Sequence, residues 1–139
     1  MQMELTKTIK AYTNAAPAIS FTADSRFMFV NARESNVKLY DLKTNELLAT
    51  LYPDPETLNW AVVTPAGRFD ASGGAQKNIY FVKGVNSFPL ESLYEEYYVP
   101  KLLPRLLAGE RFLAVNGNID DLKKEIGRAS CRERVSLVV

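Results

Sequence analysis

A mainly β chain, an antiparallel meander of short strands followed by one or two short α-helices, is predicted by three observations. Short runs of β-branched, aromatic and alternating apolar residues recur from residue 4 to residue 83, each bounded by clusters of Asn, Asp, Ser, Gly or Pro. No segment of helical pattern separates these runs, which is the mark of strands joined by hairpins rather than by crossovers. The apolar period becomes helical only after Gly84, where residues 90, 93, 94, 97 and 98 form an i, i+3, i+4, i+7, i+8 stripe.

Residues 5–12 alternate and are rich in β-branched side chains, and Asn14-Ala-Ala-Pro17 breaks them. Ala18-Ile-Ser-Phe21 follows, with Thr22-Ala-Asp-Ser25 as its turn, and Arg26-Phe-Met-Phe-Val30 is a short run of the buried type. A polar turn over residues 31–36 leads to Val37-Lys-Leu-Tyr40, and Asp41-Leu-Lys-Thr-Asn45 is a turn whose Asn45 tolerates positive φ. Glu46-Leu-Leu-Ala-Thr-Leu51 is the next strand. This spacing suits a propeller blade, a sandwich or a barrel. Residues 59–72 read as two strands around Pro65-Ala-Gly67, where Pro presets φ and Gly accepts an unusual one. Residues 78–83 are a further strand. Pro89 suits the first turn of a helix ending near Tyr98, Pro100 stops it, and residues 101–108 make a second short helix stopped by Gly109.

Composition narrows the chemistry. With 139 residues, 47% apolar and 24% charged, the chain has the size and composition of one ordinary globular domain. Its formal charge of +1 gives no electrostatic reason to expect nucleic acid or an anionic membrane as partner. No apolar run has the length of a membrane span, and the start lacks the regions of a signal peptide, so with Met1 as the true start the expected compartment is the cytoplasm. There is no His and a single Cys, Cys131, so the zinc ligand set and the thiol–imidazole pair lack their parts. No cofactor and no metal site are expected.

Two stretches carry resemblances. Ile126-Gly-Arg-Ala-Ser-Cys-Arg-Glu-Arg-Val135 resembles the conceptual translation of a sequencing adapter, so residues 126–139 are set aside as non-native and the natural frame is expected to continue past Glu125, the alternative being a genuine basic tail that ends in a short apolar strand. That segment holds three Arg, one Glu and Cys131, so the remainder has a formal charge of −1 and no cysteine. Pro17-Ala-Ile-Ser-Phe-Thr-Ala-Asp-Ser-Arg-Phe-Met-Phe-Val30, followed by Asn36-Val-Lys-Leu-Tyr-Asp-Leu-Lys-Thr-Asn-Glu-Leu-Leu48, resembles one WD repeat, the four-stranded blade of a β-propeller. The usual Trp-Asp is Tyr40-Asp41 here, and the resemblance implies structural roles for Asp24, Tyr40 and Asp41. The Gly-His pair of the family is absent, so its buried hydrogen-bond tetrad cannot form. The implied architecture is a partial propeller of about one and a half to two blades: residues 1–52 as a blade with the outer strand of a preceding one, residues 53–110 as last strands and helical connector, and residues 111–125 as the start of a linker.

Residues 59–110, from Trp60-Ala-Val-Val-Thr-Pro-Ala-Gly to Leu106-Leu-Ala-Gly-Glu110, are similar to the connector of bacterial WD-repeat proteins in which a propeller precedes a caspase-like cysteine peptidase domain. The resemblance implies a tethered effector domain whose His and Cys lie beyond this chain. The function expected is therefore a non-catalytic scaffold that presents blade edges and loops to a protein partner or to that effector. The alternatives are a small carboxylate-dependent hydrolase and the propeller segment of another signalling protein. Asp70 with Glu56 or Asp54 would supply the carboxylates of the hydrolase, although acids beside Gly and Pro are more often solvated turn formers. Ser72-Gly-Gly-Ala75 reads as a loop rather than a phosphate cradle. Tyr94, Tyr97 and Tyr98, with Lys101 and Arg105, read as a packing face first and an interaction face second, and Trp60 as a core anchor first and an interface residue second. Phe112, Leu113 and Val115 are expected to add one strand.

A sheet cut out of a repeat array keeps open edges. Residues 1–125 expressed alone are therefore expected to aggregate or to melt without cooperativity in a calorimetric scan, and a monomeric, cooperative melt well above room temperature would contradict this.

Overall fold

The computed structural model describes residues 8–9, 18–31, 36–83, 85–113 and 135–138. Six strands follow one another as an antiparallel meander in a single sheet: β1 (Ala18–Phe21), β2 (Phe27–Asn31), β3 (Val37–Asp41), β4 (Glu46–Pro53), β5 (Trp60–Val63) and β6 (Phe69–Ala71). The turns are made by the residues whose side chains compete for backbone groups. Thr22 Oγ1 accepts from Phe27 N–H (3.1 Å) and Asp24 Oδ1 from Arg26 N–H (3.1 Å), which closes the β1–β2 turn. Asn45 takes φ 62° between β3 and β4, and Gly67 takes φ 87° between β5 and β6 while its N–H reaches Thr64 C=O at 2.9 Å.

The two faces of the sheet are sorted by register. Phe27 and Leu39 fall on one face, and Met28, Val30 and Tyr40 on the other. The register between β3 and β4 shifts at Leu39/Tyr40, where Leu39 pairs with Ala49 and Tyr40 with Leu47. The bulge at Leu48 lets it join Phe27 and Leu39 while Leu47 stays beside Tyr40.

The first face is covered by helix α3 (Leu102–Leu107). Leu102 and Leu106 pack on Ala49 and Val62, and Leu103 and Leu107 reach Phe27, Leu39 and Leu48. Pro104 sits in the first turn, where its missing N–H removes no helical hydrogen bond, and Gly109 ends the helix at φ 98° with its N–H on Leu106 C=O (3.0 Å). The second face is covered at the β5–β6 end, where Ala61, Phe69 and Ala71 meet Ala75, Ile79, Phe88, Leu93 and Tyr97. Those partners come from α1 (Ala75–Asn78), β8 (Asn86–Pro89), a 3-10 turn (Leu90–Leu93) and α2 (Tyr94–Tyr97), with Ile79 between α1 and the next strand. Strand β7 (Tyr80–Lys83) lies between β8 and β9 (Val135–Val138) in a second, antiparallel sheet. Among the described residues no helix is long and apolar enough to cross a membrane.

Several expectations are corrected. The single helix expected over residues 89–98 is a strand end, a 3-10 turn and one turn of α-helix, because Pro89 is extended (ψ 145°) and still pairs with Tyr80. Of its apolar stripe, Leu93 and Tyr97 are buried and Tyr98 half-buried, whereas Tyr94 is exposed. The loop read at Ser72-Gly-Gly-Ala75 holds through Gly74, and a helix that the sequence reading lacked, α1, begins at Ala75; Ala75 and the following Ile79 are drawn under Phe69. The strand expected at Phe112 and Leu113 does not form: Phe112 packs beside α3 and Leu113 is exposed, while Val115 lies outside the described residues. The strand that does form is β9, within the stretch set aside as non-native. Of the strand read at residues 5–12, only Thr8 and Ile9 are described, and Ile9 packs against Met28, Val30 and Tyr40.

Leu102 is fully buried at the seam between helix and sheet. Leu102→Ala is expected to cost about 2–5 kcal/mol in denaturant unfolding, as for other fully buried Leu truncations. A loss under about 1 kcal/mol would mean that α3 does not cover this face.

Candidate functional site

The polar groups that hold α3 in place come from two strands far apart in sequence. Asp70, on β6, is buried, and its Oδ2 accepts from Leu102 N–H at 3.2 Å, which satisfies one of the donors left over at the start of the helix. At the other end, Arg111 donates through Nη1 to Leu106 C=O (3.2 Å) and through Nη2 to Asp41 Oδ2. Asp41 is at the end of β3 and its side chain is almost fully buried, whereas Arg111 keeps part of its guanidinium in water. Asp41 Oδ1 also accepts from Lys43 N–H at 2.8 Å. Burial pushes the Asp41 carboxyl up, but the Lys43 N–H and the Arg111 guanidinium outweigh it and hold the group below its ordinary value of 3.8.

The other sequence-predicted residues fall in several places. Asp24 is an exposed turn former, its carboxyl held low first by the Thr22 hydroxyl and then by Arg26 N–H. Tyr40 is buried in the small cluster of Met28 and Val30, and burial pushes its hydroxyl up. Tyr97 is buried under Phe69, Tyr98 is half-buried, and Tyr94 is exposed and stacks on Tyr98 with ring centroids 4.1 Å apart. Tyr98 also meets Phe69 edge-on at 5.8 Å. Tyr97 and Tyr98 thus lie against the sheet, and Tyr94 stands at the surface. The neighbouring Tyr94 hydroxyl, then burial and the Asp70 carboxylate, push the Tyr98 hydroxyl up to about 12. Arg105 pairs with Glu110 at 2.8 Å and lies over the Phe112 ring at 4.7 Å.

Two readings are overturned. Asp70 is not a solvated turn former but a buried fastener of α3. It also stands apart from the turn acids: Asp54 accepts from Glu56 N–H (3.0 Å) and from the Thr57 hydroxyl, and Glu56 is exposed. Trp60 is not a core anchor; it is 42% exposed at the start of β5, beyond the reach of the six-residue α3. Arg111 was given no role by the sequence because nothing local marks it; its partner Asp41 is 70 residues away.

The end of the sheet face that α3 leaves open forms a half-open cavity of about 740 Å³. Leu51, Val62 and Trp60 line it from the strands, and Leu103 and Pro104 from the helix. Its charged residues are Asp70, already engaged by Leu102 N–H, and Lys101, which precedes α3 in a left-handed conformation (φ 57°). Among the described residues no group of three His, Cys, Asp or Glu side chains is placed to hold a metal ion.

The pH dependence of stability follows with definite sign. Asp41 titrates lower when folded, so its contribution is complete above about pH 3.8 and is lost as pH falls through the folded value. Tyr98 titrates higher when folded, so its contribution is complete below pH 10 and is lost as pH rises toward about 12. Asp41→Asn is expected to cost about 1–3 kcal/mol at neutral pH, below the range for a fully buried ion pair because Arg111 is partly solvated, and to flatten the acid limb of a stability-versus-pH curve. An acid limb unchanged in Asp41→Asn would remove Asp41 from this role. No family model, no curated protein and no solved structure matches the chain.

Proposed function

We propose that the chain is a non-catalytic protein-interaction scaffold, the end of a WD-repeat propeller that in the whole protein is tethered to a caspase-like peptidase domain and regulates it. The observation that carries this reading is the first strand of the meander, which among the described residues pairs only with β2. Ile19 and Phe21 are 52% and 60% exposed on β1, on the same face as Met28 and Val30. A bare edge with apolar side chains beside a sheet face is the surface that a neighbouring repeat or a partner covers. The exposed Trp60 and Tyr94 add aromatic surface of the kind enriched at interfaces.

The test begins by recovering the natural reading frame past Glu125 from source DNA and expressing the downstream region separately. Calorimetric titration of the full chain with it is expected to give a saturable complex, weakened at least about tenfold by Ile19→Lys with Phe21→Lys, two charges placed on a buried apolar contact. A downstream frame with no His and Cys, or a complex indifferent to the double variant, would sink the proposal.

A further inference from the structure

The cavity beside α3 has a composition that selects a ligand. Its strand side is apolar, with Leu51 and Val62 below and the Trp60 ring at one end, and the helix side adds Leu103 and Pro104. A volume of about 740 Å³ lies within the range of cavities that enclose small organic ligands. Charge is not distributed evenly in it. The Asp70 carboxylate is buried and turned to the α3 backbone, where it accepts from Leu102 N–H. Lys101 is exposed, and among the described residues its ammonium makes no ion pair or hydrogen bond. It is held in a left-handed conformation that costs a non-glycine residue about 1 kcal/mol, so the backbone alone would favour Gly at this position. The exposed charge of the cavity is therefore the Lys101 cation, since the Asp70 carboxylate, though charged, is buried, and most of the remaining lining is apolar, with Trp60, Tyr52 and Tyr98 as its aromatic residues.

We infer that this cavity is a binding site for apolar monocarboxylates, with the alkyl or aryl body on Leu51, Val62 and Trp60 and the carboxylate at the Lys101 ammonium. The apolar body supplies most of the affinity, and Lys101 supplies the preference for an anion. The inference rests on the cavity and does not depend on the propeller reading.

Trp60 is the only tryptophan, so its emission reports on this cavity alone. The full chain is titrated with octanoate, octanamide and octylammonium, and 2-naphthoate is added in a calorimetric arm to separate alkyl from aryl acids. Octanoate is expected to shift Trp60 emission to the blue with saturation, and to bind roughly two- to fivefold tighter than octanamide, the range of a single solvent-exposed charge pair. Octylammonium is expected to bind more weakly than both. Lys101→Gly fits the left-handed backbone and should keep the fold, as its circular dichroism and melting curve will report. It is expected to erase the preference for octanoate over octanamide, and Lys101→Arg to keep it. The proposal is overturned by tighter binding of octylammonium, by an octanoate preference that survives in folded Lys101→Gly, or by a Trp60 emission unmoved by any of the three.

Discussion

A short helix laid across a sheet face has to be held there, and much of this structure follows from how that is done. Helix α3 has six residues, too few to be stable alone. Its apolar side supplies the contact area through Leu102 and Leu106, but its ends leave backbone donors and acceptors that the sheet must satisfy. Asp70 answers the first end and Arg111, braced by Asp41, answers the last. Both carboxylates stand on strands, so the helix is pinned at two separated points of one rigid surface. Loss of either pin would leave a buried charge or an unsatisfied backbone group beside the apolar seam, where such groups are most costly.

The length of that helix also explains the open cavity. Six helical residues rise about 9 Å, whereas the eight residues of β4 extend about 26 Å. A helix fastened near Ala49 and Val62 cannot also shelter the Trp60 and Pro53 end of the sheet. Trp60 is therefore exposed for a geometric reason, although its size and aromatic character favour burial. The opposite face solves the same problem differently, with a run of small pieces: α1, the 3-10 turn and α2 each cover part of the β5–β6 surface around Phe69.

The polar residues divide by distance along the chain. Asp24, Asn45 and Asp54 act on groups within a few residues, and their roles as turn formers were legible because a short side chain next to a β-turn has few other uses. Asp70 has the same local appearance, lying three residues after Gly67 between Phe69 and Ala71, yet its partner is 32 residues away. The misreading of Asp70 has a physical origin: local pattern identifies a residue's secondary structure, while burial of a carboxylate depends on which element is later laid over it. The candidate cavity is legible in the same limited way. Its apolar strand residues were marked by alternation, but that they face a gap beyond a short helix is a property of the packed layers.

The sequence by itself determined strands β1 to β7, the antiparallel meander of the first six and most of their turns, because period-two alternation, Asn45 and Gly67 act through forces that reach only a few residues. It determined the end of α3 at Gly109 for the same reason. The tertiary structure alone decided that the strands join one continuous six-stranded sheet, that the helix expected over residues 89–98 breaks into pieces, that Asp41 is neutralised by Arg111, and that Trp60 and Lys101 border an open cavity. Each of these depends on groups brought together from distant parts of the chain, where the free energy belongs to the contact and has no counterpart in either local segment.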